Sequence, residues 1–315
     1  MGMEPLYYCN EMMSVRETRN IEERVGLEDV ERYWSGSPCG SDQSTLKDRK
    51  RYFEEIEQRR YSHERHILDV ARFSEFKGQR VLEVGCGIGT DGVQFARNGA
   101  LYTGINLDEG STVLARECFE MFGMPGRLLK MNAEHMEFPA NTFDHVYSFG
   151  VIHHSPDPER IVAEIFRVLK PGGTVTSMLY NRSSINYYVE IMFLRKIFRY
   201  ALLPSFAPRL IAKIVGLSAE KLARHREILL SEKMTPARWV SINTDGPECP
   251  LARVYSRRQA LSLFHASGFL NVKTYVRFFN TDHYGFIGKL IPNLIAVHIG
   301  RFFGWHRLVE AIKQK

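Results

Sequence analysis

Val81-Leu82-Glu83-Val84-Gly85-Cys86-Gly87-Ile88-Gly89-Thr90 decides the fold of this 315-residue chain. Residues 81–84 have strand character and run straight into three glycines spaced G-x-G-x-G; residues 90–100 then read as a helix. Glycines at such a turn let backbone approach a ligand with no Cβ in the way. The helix that follows offers unpaired N–H groups and the positive end of its dipole. Strand, glycine turn and helix in this order predict a nucleotide-like cofactor held at the C-terminal edge of a parallel sheet.

Outward from that stretch the elements alternate. Residues 101–107 read as a strand, 112–122 as a helix, 126–131 as a short strand and 142–149 as a strong one. Residues 158–169 are helical, Pro171-Gly172-Gly173 is a turn, and 174–180 is a further strand. The pattern resumes with a helix at 256–267 and strands at 271–279 and 305–311. Alternation at this pitch predicts an α/β doubly wound, mostly parallel sheet with right-handed crossovers. Upstream, 48–76 reads as helical, and 1–30 carries no strong pattern. The expected divisions are an N-terminal arm and helical cap at 1–76, a cofactor-binding core at 77–181 and a basic helical insertion at 182–255. Residues 256–315 complete the sheet, with an amphipathic insertion at 280–304.

A hydrophobic fraction of 44% with 25% charged residues is that of an ordinary globular protein. Cys9, Cys39, Cys86, Cys118 and Cys249 show neither C-x-x-C nor metal-like spacing, so no metal is expected and a reducing compartment is. Residues 1–20 place Glu4, Glu11, Arg16 and Glu17 among apolar neighbours, unlike a signal peptide. No uncharged apolar run reaches the roughly 18 residues of a membrane span. These features predict a cytoplasmic protein. Residues 181–315 hold 21 Lys and Arg against 8 Asp and Glu, a net of +13; residues 1–180 hold 21 against 28, a net of −7. Tyr187, Tyr188, Phe193, Phe198 and Tyr200 alternate with Arg195, Lys196 and Arg199 in the first insertion. Basic, aromatic-rich amphipathic helices fit the inner face of an anionic membrane; helices packing on a core carry similar apolar stripes, and a solvated basic face needs no partner.

Glu83-x-Gly85-x-Gly87-x-Gly89 resembles the first motif of the class I S-adenosylmethionine-dependent methyltransferases, especially the branch similar to ubiquinone/menaquinone C-methyltransferases. The dinucleotide fingerprint G-x-G-x-x-G differs, because here the third glycine comes one residue earlier. Gly104-Ile105-Asn106-Leu107-Asp108, Asn132-Ala133-Glu134, the strand end Phe149-Gly150-Val151-Ile152-His153-His154 and Leu169-Lys170-Pro171-Gly172-Gly173 fall at the intervals of the same family. The resemblance implies a seven-stranded Rossmann-like sheet and S-adenosylmethionine as cofactor. It places that cofactor against Glu83, Gly85, Gly87, Gly89, Asn106, Leu107, Asn132, Ala133, Glu134 and Phe149. Glu83 would meet the methionine amino group, and Asn132 the adenine amino group through its carbonyl. Asn106 stands where the family commonly grips the ribose with an acid; an amide accepts and donates there without charge.

His153 and His154 follow the fourth strand, where the methyl group should point, and an imidazole there could accept a proton from the acceptor. A histidine capping the Ser155-Pro156 loop is the competing reading. Tyr52, Tyr61 and His66 are expected to shape the pocket, with Asp282 and His283 as further candidates. The expected activity is O-, N- or C-methylation of a small-molecule or lipid-like metabolite. An RNA methyltransferase using the basic C-terminal half, and a non-catalytic cofactor-binding protein, are the alternatives. No RNA-binding module or N-P-P-Y sequence is present, so nucleic acid is not the expected partner.

Overall fold

The computed structural model describes residues 25–215, 218–281, 288 and 290–314. Seven strands form one sheet: β1 (Arg80–Val84), β2 (Leu101–Asn106), β3 (Arg127–Lys130), β4 (Phe143–Phe149), β5 (Leu169–Tyr180), β6 (Lys273–Arg277) and β7 (His306–Ile312). Their order is β3-β2-β1-β4-β5-β7-β6. The first five pair in parallel, and β7 runs antiparallel to both β5 and β6. This is the doubly wound, mostly parallel sheet that the alternation predicts. Val81, Leu82 and Val84 are all fully buried, so β1 is covered on both faces, with Glu83 buried among them.

The helices are α1 (Leu27–Gly36), α2 (Arg49–His63), α3 (His66–Ala71), α4 (Thr90–Arg97), α5 (Glu109–Phe122) and α6 (Pro158–Val168). After a π-helical segment at Asn186–Leu194 come α7 (Arg195–Leu202), α8 (Ala207–Val215), α9 (Ala219–Ser231) and α10 (Pro236–Thr244). Last are α11 (Arg257–Ala266) and α12 (Asn293–Phe303). Several starts are written locally. Asp48, Asp108 and Asp157 each accept a backbone N–H three residues on, and Pro158 follows its cap at the first helical position.

Two apolar clusters cover the faces of the sheet. One joins Ile161, Val162 and Ile165 of α6 to Leu263 and Phe264 of α11. The other joins Phe53 and Ile56 of α2 to Val93, Phe95, Ala115 and Phe119 of α4 and α5. A third sets Tyr187, Ile191, Trp239 and Ile242 of the insertion against Met178, Trp305 and Leu308 at the ends of β5 and β7. Trp239 Nε1 donates to the Ile191 carbonyl at 2.8 Å, which locks the insertion's two buried pieces together.

Two expectations need correction. Residues 48–76 are not one helix: the chain breaks at Glu64 and Arg65, and Arg72 adopts a left-handed φ of 49° before a 3-10 turn. Pro171-Gly172-Gly173 is a bulge inside β5 rather than a turn before it. Phe143 pairs with Leu169 but His145 with Thr174, and Gly172 N–H donates to the Lys313 carbonyl at 2.7 Å.

Candidate active site

The chain leaves β1 toward β2 and β3 and returns to β4 on its other side. A crevice opens at such a switch point, beyond the carboxyl ends of the strands. Here it is a cleft of about 770 Å³, in the upper part of the ~300–1,000 Å³ range of small-molecule sites.

The three glycines do different things. Gly85 has φ +72°, and a Cβ there would lie 2.3 Å from Val151 Cγ2, so it lets the β1 turn nest against the β4 turn. Gly87 has φ +53°, lines the cleft, and a Cβ there would meet nothing within 4 Å; it leaves backbone open to a ligand. Gly89 does not line the cleft. Its φ of +89° and its closeness to Ala115 of α5 give it a packing role between the turn and that helix. Asn106, 4% exposed, accepts Gly87 N–H at 2.8 Å and donates to Gly87 C=O at 2.9 Å. Its amide clamps the turn while the residue also borders the cleft.

Below the turn lies a cluster of buried charge. Arg60 grips Asp91 through two bonds of 2.8 and 2.6 Å, while Tyr61 and Tyr147 donate to the same carboxylate at 2.8 and 3.1 Å. Burial alone would raise the Asp91 carboxyl, but the Arg60 charge and these bonds hold it below the usual range. Arg60 also reaches Glu64 at 3.4 Å. Glu83 is 3% exposed and accepts from Tyr102 Oη at 2.5 Å. Burial and the neighbouring Asp91 charge push its carboxyl up to about 8. Asp91 and Glu64 thus share the Arg60 guanidinium, with Glu83 beside them on the cleft wall, and the three carboxyl groups offer acceptors to a cationic ligand.

On the β2–β3 side, Leu107, Asp108, Asn132, Ala133 and Glu134 line the cleft. Asn132 Oδ1 accepts Glu134 N–H at 2.8 Å, and Glu134 Oε1 accepts the Ser155 hydroxyl at 2.5 Å, so this loop is braced by its own side chains. On the β4–β5 side the walls are Trp34, Phe149, Tyr180, Phe278 and Trp305, with Tyr180 and Trp305 stacked at 4.5 Å. His154 opens onto this end. Its Nδ1 lies 2.6 Å from the Leu251 carbonyl and its Nε2 3.6 Å from Asp245 Oδ2. Among the described residues, His154, Asp245 and Cys249 bring their ligand-type atoms within 4.8 Å of one another.

Other candidates lie behind the walls. His153 is fully buried, its ring tilted against that of Tyr180 at 3.8 Å, and burial holds its pKa well below the ordinary value; it packs behind the cleft wall. Tyr52 donates to the Ser41 carbonyl at 2.7 Å, and Tyr61 supports Asp91, so neither lines the pocket. His66 pairs with His306 at 2.9 Å, and His306 is the one that lines the cleft. Asp282 and His283 lie outside the described residues. Sequence reasoning missed Arg60, Asp91, Trp34, Tyr180, Asp245 and Trp305. Only Asp91 had a signal, adjoining the glycine motif as the second residue of its helix.

With this geometry in view, the comparisons with known proteins fall into place. The methyltransferase-domain family matches residues 82–176. Sterol 24-C-methyltransferase of Pneumocystis carinii (strain B80) is 37% identical over 131 residues, covering 41% of this chain and 34% of that protein. Cycloartenol-C-24-methyltransferase of Arabidopsis thaliana is 39% identical over 98 residues, 30% of this chain and 29% of that protein. The matched stretch thus spans about a third of these relatives. Geranyl diphosphate C-methyltransferase from Streptomyces coelicolor A3(2), solved with S-adenosyl-L-homocysteine, shares the fold with a TM-score of 0.50 at 13% identity, over 91% of this chain and 97% of that one. Residues 82–176 of this chain thus match a methyltransferase domain.

Proposed function

We propose that the chain methylates a lipid-like small molecule and does so at an anionic membrane surface. One observation carries the first part: a continuous cleft runs from the acidic wall at Glu83 and Asp91 to an aromatic end formed by Trp34 of α1, Phe149 of β4, Tyr180 of β5, Phe278 and Trp305. S-adenosylmethionine supplies a methyl group made electrophilic by a sulfonium. The acidic wall suits that molecule's positive charges, Gly87 admits it to the backbone, and Leu107 and the 132–134 loop border the adenosine side. In-line displacement needs alignment and a dry site more than acid–base power. The aromatic end offers both to an apolar acceptor, and the sterol names of the relatives favour the same class.

The second part rests on exposed apolar side chains. Phe198, Phe206 and Ile214 on the insertion and Leu294 and Phe302 on α12 are all more than half exposed, among Arg209, Lys213 and Arg301. Apolar and basic residues interleaved in this way suit a lipid headgroup region better than RNA, which calls for a polar basic surface. No helix among the described residues is long and apolar enough to cross a membrane. The direct test incubates purified protein with methyl-labelled cofactor and fractionated small-molecule, lipid and RNA extracts. Label is expected in the lipid pool. Label in RNA would overturn the assignment, and retained cofactor binding with no labelled pool would point to a non-catalytic binder.

A further inference from the structure

We infer that His154 and Asp245 form a two-point receptor for a protic nucleophile: the acceptor presents an O–H or N–H group to them, and His154 takes its proton. The inference rests on the methyl-transfer reading and narrows it. His154 Nδ1 sits 2.6 Å from the Leu251 carbonyl, which can only accept, so Nδ1 carries a hydrogen, and in the neutral ring Nε2 is left with a lone pair. That Nε2 is buried without a partner, and so is Asp245 Oδ2, 3.6 Å away. The other carboxylate oxygen of Asp245 accepts from Tyr180 Oη at 2.7 Å, and Tyr33 Oη donates to the Asp245 backbone carbonyl at 2.6 Å. Asp245 therefore cannot swing away. Two acceptors are fixed face to face on the wall of the cleft, in a setting where buried acceptors are ordinarily satisfied. What they lack is a donor, and both residues border the cleft at its aromatic end, so a small side-chain shift is needed before the O–H or N–H of an acceptor lodged there meets them.

Cys249 completes the neighbourhood without making it a metal centre. Its Sγ points at the Leu251 carbonyl at 3.5 Å as a donor, and burial pushes the thiol well above its ordinary pKa, so it stays protonated. In the reaction, the O–H or N–H proton passes to Nε2 as the new bond to the methyl carbon forms. The S–C bond of the methyl donor breaks, and its electron pair stays on sulfur. The imidazolium so formed faces the Asp245 carboxylate, which offsets its charge. An alkene acceptor would leave both groups without a donor.

Binding of head-group probes to protein saturated with S-adenosylhomocysteine tests this without turnover. Decanol and decylaniline are compared with decyl methyl ether and the terminal alkene of equal length. The wild type should hold the protic probes at least ~10-fold more tightly, and Asp245→Asn and His154→Gln should each reduce that preference to about twofold or less. Equal affinity for alcohol and ether, no binding of any protic probe, or a preference that survives both substitutions would sink the proposal. So would zinc binding that Cys249→Ser abolishes. Binding of S-adenosylhomocysteine, measured first, checks that each variant is folded. If the wild type does not bind it, the methyl-transfer reading fails, and the same comparison on the free protein still decides the receptor.

Discussion

Glu83 shows what one residue must reconcile. It lies in a strand among fully buried aliphatic neighbours, yet it borders the cleft with a carboxyl raised to about 8. Burial is the main cause and the Asp91 charge the next; the Tyr102 hydrogen bond and the Arg60 charge oppose them without prevailing. The folded pKa lies above the unfolded value of about 4.3. The stability linked to this group is therefore fully present below the unfolded value and is lost as pH rises through about 8. Glu83→Gln keeps the shape and removes the ionisation. Its unfolding free energy from urea titration should exceed that of the wild type at pH ~9 by an amount of order a few kcal/mol, and match it near pH ~4. The same variant should bind S-adenosylmethionine more weakly at the alkaline end, where the wild-type carboxylate is available to the amino group. A stability difference independent of pH would remove the ionisation argument. The position of Glu83 was legible from its motif. Its environment was not, because Arg60, Asp91 and Tyr102 converge on it from three separate elements.

At the scale of elements, the strands were legible from their alternation with helices, although β1 carries Glu83 and β4 carries Asp144, His145 and Ser148 within mostly buried runs. What failed were breaks with no sequence cost. Glu64 and Arg65 end a helix with neither glycine nor proline, since Ile67 and Val70 bury themselves better from a second, shorter helix. Nor could any local pattern show that the insertion returns Asp245 to His154 across 91 residues of chain. The junction of β2 with the glycine turn was half legible. Asn106 marked the place, but not that its amide also spans the gap to Gly87, which adds a clamping role to the expected ribose one. Asn106→Asp separates these roles. A ribose ligand should bind better as an acid. A clamp should fail, because a carboxylate oxygen then opposes the Gly87 carbonyl in place of an N–H. We expect S-adenosylmethionine affinity to fall about tenfold, with ~1–3 kcal/mol of stability lost for the unpaired buried group. Calorimetric titration decides it, and tighter binding by the variant would put the ribose role ahead of the clamp.

For the whole molecule, the net of −7 on residues 1–180 and +13 on residues 181–315 divides the labour. The acidic half holds the glycine turn and the carboxylate wall; the basic half carries the exposed apolar helices. A large exposed apolar surface is costly unless something covers it, and the basic residues beside it favour an anionic bilayer. Deleting these helices would be a poor test, since Tyr187, Ile191 and Trp239 of the same insertion form the third core cluster. Point changes on exposed positions avoid that difficulty. Wild-type protein should partition onto phosphatidylglycerol vesicles and hardly onto phosphatidylcholine. Each basic residue near such a surface contributes ~1 kcal/mol, screened by salt. Arg209→Glu, Lys213→Glu and Arg301→Glu together should then weaken binding by at least ~100-fold at low salt. Phe198→Ser with Phe302→Ser should weaken it at all salt concentrations, because apolar insertion is not screened. If the charge-reversed protein, with unchanged cofactor affinity, sediments with vesicles as the wild type does, the basic half serves some other purpose and the acceptor must reach the cleft from solution.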